Sequence, residues 1–244
     1  MPIPAGLLAA LNEARHVCVL TGSGVSAESG VPTFREAQTG LWEQYDPHQL
    51  ATPEAFQRDP ALVWRWYRWR RELVAAAEPN PGHHALAAMA RRVPELTLIT
   101  QNVDGLHQRA GSDGVIEFHG NLFEDRCFAE GSVVSGADLS AEVPRCPDCG
   151  GPLRPGVVWF GETIPEHALQ AAAAAVNACD VFVSIGTSAL VWPAAGLADA
   201  AREQGAVVVE INLDATPLSS RTDYCLQGKS GSLLPELLDC LNVQ

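Results

Sequence analysis

Four short apolar runs constrain this chain more than any other feature: HVCVL (16–20), LTLIT (96–100), VFVSI (181–185) and AVVVEI (206–211). Each is rich in β-branched residues and lacks polar alternation. A strand with one wet face alternates apolar and polar residues. These runs therefore predict strands buried on both faces, as in a parallel sheet packed between helices. Stretches of helical character separate several of them, at 82–92, 165–178 and 192–204. Asn80-Pro81-Gly82 and Thr163-Ile164-Pro165 supply start signals for the first two. The alternation predicts an α/β fold, a Rossmann-like doubly wound parallel sheet.

Two stretches stand outside that alternation. Residues 36–77 read as helical and aromatic, with Trp42, Trp64, Trp66 and Trp69; residues 121–161 are short, polar and cysteine-bearing. The expected organisation is a main nucleotide-binding domain over 1–35, 78–120 and 162–244, with 36–77 and 121–161 forming a smaller inserted helical and zinc-binding module. A chain of 244 residues with 47% hydrophobic and 18% charged residues can bury cores of that size. Its formal charge of −13 argues against general nucleic-acid binding, which needs clustered Lys and Arg, and favours cationic partners such as lysine-rich protein segments. No basic residue precedes Arg15 and no apolar run is long enough to span a bilayer, so a cytoplasmic protein without a membrane role is expected. The number of associated chains is not legible.

Seven cysteines, an odd number, fit a disulfide framework poorly. Cys18, Cys179, Cys225 and Cys240 have apolar neighbours and are expected to pack as small hydrophobes. Cys146-Pro-Asp-Cys149-Gly-Gly is different, because two thiolates across a tight turn can chelate one metal. Upstream, Cys127-Phe-Ala-Glu130 places Glu where a second cysteine would complete the site. Either three cysteines and the Glu130 carboxylate bind zinc, or the site is weakened.

Polar motifs follow the apolar runs. Gly22-Ser23-Gly24-Val25-Ser26-Ala27 comes after the first strand in the pattern of a dinucleotide-binding turn, although a purely structural turn would look the same. Gly30 and Pro32 then interrupt the expected helix before Phe34 and Arg35. Gln101, Asn102 and Asp104 follow LTLIT and would project from the carboxyl edge of the sheet, where ligands bind; Asp104 equally suits a helix cap. Asn212 and Asp214 follow AVVVEI and are the candidates for a ribose hydroxyl. His119 ends the short run Val115–Phe118 and suits general-base work near neutral pH, though a lone histidine is often structural. In GPLRPGVVWFGE (151–162), VVWF reads as a strand, either a linker or an edge that pairs with a peptide.

In their order along the chain, GSGVSAESGVPTFR, TQNVDGLH, FHGN, CPDCGG, RPGVVWFGE, GTS (186–188) and NLD (212–214) resemble the sirtuin family of NAD-dependent protein-lysine deacylases, from about residue 16 to the C-terminus. The resemblance implies that Gly22, Ser23, Gly24 and Ala27 hold the pyrophosphate of NAD, and that Phe34 and Arg35 lie on a cofactor loop. It implies that Gln101, Asn102 and Asp104 order the nicotinamide ribose. Gly186, Thr187, Ser188, Asn212, Asp214 and Ser230 would meet the adenosine half. Val158, Phe160 and Gly161 would enclose the acyl-lysine. His119 would be the base that lets the acyl group pass to ADP-ribose as nicotinamide leaves. Zinc would be structural. Ser23 stands where the family usually has Ala, and Glu130 where it has a zinc cysteine.

WYRWRRE (66–72) resembles the class III segment carrying Tyr-x-x-Arg, here Tyr67 and Arg70. Spaced i, i+3 on a helix, the two share a face and could hold a succinyl or malonyl carboxylate. A plain cation–π ladder with Arg65, Arg68 and Arg71 is the other reading. The expected activity is deacetylation together with desuccinylation or demalonylation. An NAD glycohydrolase or mono-ADP-ribosyltransferase is the alternative, and a dehydrogenase or a non-catalytic zinc-knuckle module lies further off.

Overall fold

The computed structural model describes residues 3–32 and 45–241, and each of the four apolar runs becomes a strand within it. The strands are β1 (His16–Thr21), β2 (Glu95–Thr100), β3 (Ile116–Glu117), β4 (Gly120–Cys127), β5 (Val133–Val134), β6 (Leu153–Val157), β7 (Val181–Ile185), β8 (Val207–Asn212) and β9 (Tyr224–Gln227). Six of them form a parallel sheet in the order β3-β2-β1-β7-β8-β9. The chain builds outward one way from β1 and then the other way from β7. The strand order therefore reverses between β1 and β7, the switch point at which ligands bind in such folds.

The central strands are buried on both faces, and successive side chains enter the two opposite cores in turn. On one face, Val17, Val19, Val183 and Val209 pack with Leu7 and Leu11 of α1 (Ala5–Glu13), Leu86 of α6 (Pro81–Met89) and Leu234 of α10 (Ser230–Cys240). On the other, Cys18, Leu20, Phe182 and Val208 pack with Ala172 of α8 (Glu166–Ala178) and Ala201 of α9 (Leu197–Glu203). Each such aliphatic side chain contributes about 1.5–3 kcal/mol by leaving water.

The remaining strands form a three-stranded antiparallel sheet, β5-β4-β6. It shares a third core with α4 (Pro53–Arg58) and α5 (Pro60–Ala76), built around Phe56, Trp64, Trp66, Tyr67 and Trp159. Thr52 and Asp59 cap these helices through their side-chain oxygens, each followed by proline at the first helical position. Among the described residues, no helix is long and apolar enough to cross a membrane.

Several local expectations shift. The strand expected at VVWF (157–160) instead spans Leu153–Val157, sharing only Val157; beyond it a turn closes through Glu162 N–H to the Trp159 carbonyl at 3.0 Å, with Gly161 at φ +85°. The helix expected over 192–204 begins in a 3₁₀ turn at Ala194–Gly196 and becomes α-helical at Leu197. Cys18 and Cys179 are buried as expected, whereas Cys225 and Cys240 are exposed.

Candidate active site

The site is assembled at the switch point, where the loop after β1 meets the loop after β7. Gly22 N–H donates to the Ile185 carbonyl at 2.9 Å, and Gly24 N–H donates to the Gly186 carbonyl at 2.8 Å. The backbones are so close that a Cβ on Gly22 would sit 2.8 Å from the Gly186 oxygen. One on Gly186, itself at φ +58°, would sit 2.6 Å from the Val25 nitrogen. The glycines are thus required by two loops crossing, and two of their amides are committed to that crossing. The helix that follows, α2 (Gly24–Ala27), lasts one turn before the chain bends at Gly30 (φ +78°). Phe34 and Arg35 lie outside the described residues.

Beside this crossing, Gly24, Ala27, Gly186, Asn212, Lys229 and Ser230 line a crevice. Ser230 is buried, and its Oγ has no hydrogen-bond partner among the described residues. Thr187 ties three strand ends together: Gln101 Nε2 donates to its Oγ1 at 2.9 Å, and Asn212 Nδ2 donates to its carbonyl at 2.8 Å. Ser188 is partly buried and Ser23 and Asp214 are exposed. Asp214 therefore lies at the rim of the sheet edge and Asn212 within it.

A second network runs beneath Gln101. Ser26 Oγ donates to Asp104 Oδ2 at 2.7 Å and accepts from Asn102 Nδ2 at 3.0 Å; Asp104 Oδ1 accepts the Leu106 N–H at 2.9 Å. Asp104 is therefore both cap and cleft residue. Burial raises its pKa against these hydrogen bonds. Below it, His107 Nε2 meets Thr21 Oγ1, which donates to Thr100 Oγ1, each at 2.9 Å. The His107 ring lies 4.8 Å from that of His83. Burial pushes His83 down to about 4 and His107 to about 3, so both are neutral at physiological pH. Ser26 and His107 lie within quoted motifs but drew no role from them, and His83 lies in none, since their partners come from other elements.

His119 stands between the two sheets, at the start of β4. Its Nδ1 lies 3.0 Å from the Gln101 carbonyl. A carbonyl only accepts, so Nδ1 carries the proton and Nε2 is left as the basic nitrogen. Burial lowers the His119 pKa, which keeps the imidazole neutral near pH 7.

Past His119 the chain reaches the loop after β6. Val158 N–H donates to the His119 carbonyl at 2.8 Å, and Phe160 N–H donates to the Ala51 carbonyl at 2.9 Å. Val158 is partly buried, Phe160 and Gly161 are exposed, and Trp159 between them is buried. Facing this loop is α5. Trp159 Nε1 donates to the Tyr67 hydroxyl at 2.9 Å, and the Arg70 guanidinium lies 5.6 Å from the Tyr67 ring centroid. Asp104 and Arg70 influence each other's charge, which sets the Tyr67–Arg70 pair beside the polar network. The cation–π ladder exists too, since Arg68 and Arg71 both lie over Trp64. These two are structural: Arg68 donates to the Leu139 carbonyl, and Arg71 donates to the Leu122 carbonyl and pairs with Asp125.

At the far end of the small sheet, the sulfurs of Cys127, Cys146 and Cys149 all lie within 4.8 Å of one another. Gly150 (φ +72°) makes the turn, and its N–H donates to the Cys146 carbonyl at 2.9 Å. Three converging soft donors around one point suit zinc. The Glu130 carboxylate is not in this group. Glu130 is exposed, and its backbone N–H bonds to the Cys127 sulfur, lowering that thiol's pKa. A carboxylate on an exposed side chain is not drawn in by a backbone already turned to the sulfur.

A doubly wound sheet whose switch-point loops cross over glycine, beside a neutral histidine with one basic nitrogen, defines a nucleotide-binding α/β enzyme. The chain belongs to the Sir2 family, whose model matches residues 22–193. It is 52% identical over 250 residues to an "NAD-dependent protein deacylase" of Methylococcus capsulatus, covering 96% of each chain. It is 50% identical to "NAD-dependent protein deacylase 1" of Pseudomonas aeruginosa, covering 92% of this chain and 94% of that one. Among solved structures, a Sir2 homologue in complex with NAD superimposes with a TM-score of 0.91 at 46% identity, covering 98% of this chain and 93% of that one. A Sir2 mutant bound to a deacetylated p53 peptide and 3′-O-acetyl ADP ribose superimposes at 0.83 and 30% identity, covering 97% and 98%.

Proposed function

We propose that this enzyme is an NAD-dependent protein-lysine deacylase that removes acetyl groups and also acidic acyl groups such as succinyl and malonyl. The observation that carries the reading is His119, a neutral imidazole held by the Gln101 carbonyl with Nε2 left basic. NAD, when bound, supplies the ribose that takes the acyl group and the nicotinamide that leaves.

Gly22, Ser23, Gly24 and Ala27 hold its pyrophosphate region. Gly186, Thr187, Ser188, Asn212, Asp214 and Ser230 hold the adenosine half, which would supply the partner that the buried Ser230 Oγ lacks. Gln101, Asn102 and Asp104 orient the nicotinamide ribose, with Ser26 as their hinge. Phe34 and Arg35 are assigned to the cofactor loop. His119 Nε2 takes the proton of a ribose hydroxyl. Val158, Phe160 and Gly161 enclose the acyl-lysine stem and exclude water from the activated sugar. Tyr67 and Arg70 face the acyl terminus, and Arg70 offers a planar fork to a carboxylate.

The chain divides into an NAD-binding domain (1–35, 78–120 and 162–244) and a small module (36–77 and 121–161), the latter holding structural zinc through Cys127, Cys146 and Cys149. Its acidic surface suits lysine-rich protein partners and a cytoplasmic setting, and makes direct nucleic-acid binding unfavourable.

The test is a panel of acetyl-, succinyl- and malonyl-lysine peptides with NAD, reading nicotinamide and acyl-ADP-ribose by mass spectrometry. Wild type should release nicotinamide only with acyl-lysine, and His119→Ala should lose about 10²–10⁴-fold in rate. Acyl-independent release of equal size would instead identify an NAD glycohydrolase or ADP-ribosyltransferase. Arg70→Met should lose more activity on succinyl- than on acetyl-lysine, and equal loss on both would remove the acidic-acyl part of the reading.

A further inference from the structure

Trp159 is 2% exposed in the loop after β6, between the partly buried Val158 and the exposed Phe160, both assigned above to the acyl-lysine. Its Nε1–H donates to the Tyr67 hydroxyl at 2.9 Å. The Arg70 guanidinium lies 5.6 Å from the centroid of the same tyrosine ring. A phenol has two acceptor lone pairs and one proton to give, whereas an indole N–H and a guanidinium only donate. The indole N–H occupies a lone pair of the hydroxyl, so the O–H proton points away from Trp159 and is what the phenol offers to a third group. A terminal methyl has no use for that proton. A terminal carboxylate can accept it, alongside the guanidinium charge of Arg70.

We propose that Trp159 is a specificity-determining positioning residue, whose N–H fixes Tyr67 as a proton donor and thereby selects acyl groups that end in a carboxylate. This rests on the acidic-acyl reading above and adds the device that enforces it.

The indole is placed for this by its own neighbours. Its backbone N–H donates to Glu162 Oε2 at 2.7 Å, and the Arg154 guanidinium lies 3.4 Å from its ring centroid. Arg154 pairs with both Glu162 oxygens and donates to the Val157 carbonyl at 2.7 Å. Loop and indole are therefore clamped together, so the N–H cannot turn from Tyr67 without breaking a half-buried ion pair. Residues as close to the substrate as these must be held within a fraction of an ångström to discriminate.

The test compares kcat and KM on succinyl- and acetyl-lysine peptides of one sequence for wild type, Trp159→Phe, Tyr67→Phe and the double variant. Trp159→Phe keeps a flat apolar ring and removes the N–H. The succinyl-to-acetyl ratio of kcat/KM should fall about tenfold, the size of one hydrogen bond serving a charged group. The fall should come through KM for the succinyl peptide, since the carboxylate is remote from the reacting carbonyl. In the Tyr67→Phe background the same substitution should leave the ratio unmoved. An unchanged ratio in Trp159→Phe, or an equal fall in both backgrounds, would overturn the proposal and leave Trp159 a packing residue. Should Trp159→Phe fold poorly, 3-benzothienylalanine at position 159 preserves the shape without the N–H and carries the same expectation. A wild type that deacetylates but ignores succinyl- and malonyl-lysine would remove the acidic-acyl reading and this proposal together. Selective loss in Arg70→Met with no ratio change in Trp159→Phe would overturn this proposal alone.

Discussion

The two sides of the cleft are built by different means. On the side of the large sheet, the loops after β1 and β7 are tied backbone to backbone, and side-chain volume is excluded by contact distances of 2.8 Å or less. On the side of the small sheet, the loop after β6 is tied by side chains far apart in sequence. Trp159 bonds to Tyr67, and Arg154 clamps Glu162 while covering Trp159. A backbone crossing tolerates only glycine and leaves a short, fixed motif. A side-chain clamp can be made from many residue pairs and leaves only scattered signs. The first construction suits an invariant cofactor, the second a variable acyl group.

Breaking the small module should have the largest effect. Cys146→Ser, or zinc removal by a chelator, takes away the cross-link among the three sulfurs. Metal content should fall, activity should drop by at least about tenfold, and proteolysis should open 121–161 first, because folding of such modules is coupled to the ion. The large sheet should keep its helical circular dichroism. Simultaneous collapse of both would show that the two sides are one cooperative unit.

Acid should strike the other side. The unfolded chain protonates its histidines near the ordinary value of about 6.5, whereas folded His83 and His107 resist until about 4 and 3. Between those values the unfolded state binds more protons, so stability is complete above about pH 7 and is lost as pH falls. Unfolding free energies from urea titrations at pH 7 and pH 5 should differ by on the order of a few kcal/mol, and His107→Gln should reduce the difference. A pH-independent midpoint would show that the buried histidines do not set acid stability.

Gly186→Ala tests the crossing itself. It forces a side chain into φ +58° and against the Val25 nitrogen. The backbone strain alone is on the order of 1–3 kcal/mol, a fall in Tm of roughly 2–12 °C for a chain this size, and the clash with the Val25 nitrogen adds to it. KM for NAD should rise. An unchanged KM would mean the crossing is needed for folding alone.

The large sheet was legible because its evidence is local. Val17, Val19, Val181 and Val183 announce buried strands by their own sequence, and Asn80-Pro81 announces the start of α6 by cap chemistry. The polar motifs could be placed at the carboxyl edge because strands set direction. Legibility ended where a partner came from another element. Ser26 acquires its role only because β2 delivers Asn102 and Asp104 to it. Glu130 looked like a ligand from spacing alone, yet its backbone rather than its carboxylate faces Cys127. Cys225 and Cys240 looked apolar from their neighbours, yet they lie on exposed faces.

The sequence by itself determined the parallel sheet, the glycine turn, the cysteine knuckle and the family, since each depends on residue type at short, fixed spacing. Only the tertiary structure decided the tautomer of His119, the donor polarity of Tyr67 and the neutrality of His83 and His107. Those properties belong to no single residue. They arise when folding removes water and leaves each polar atom with the one partner the other strands and helices have brought to it.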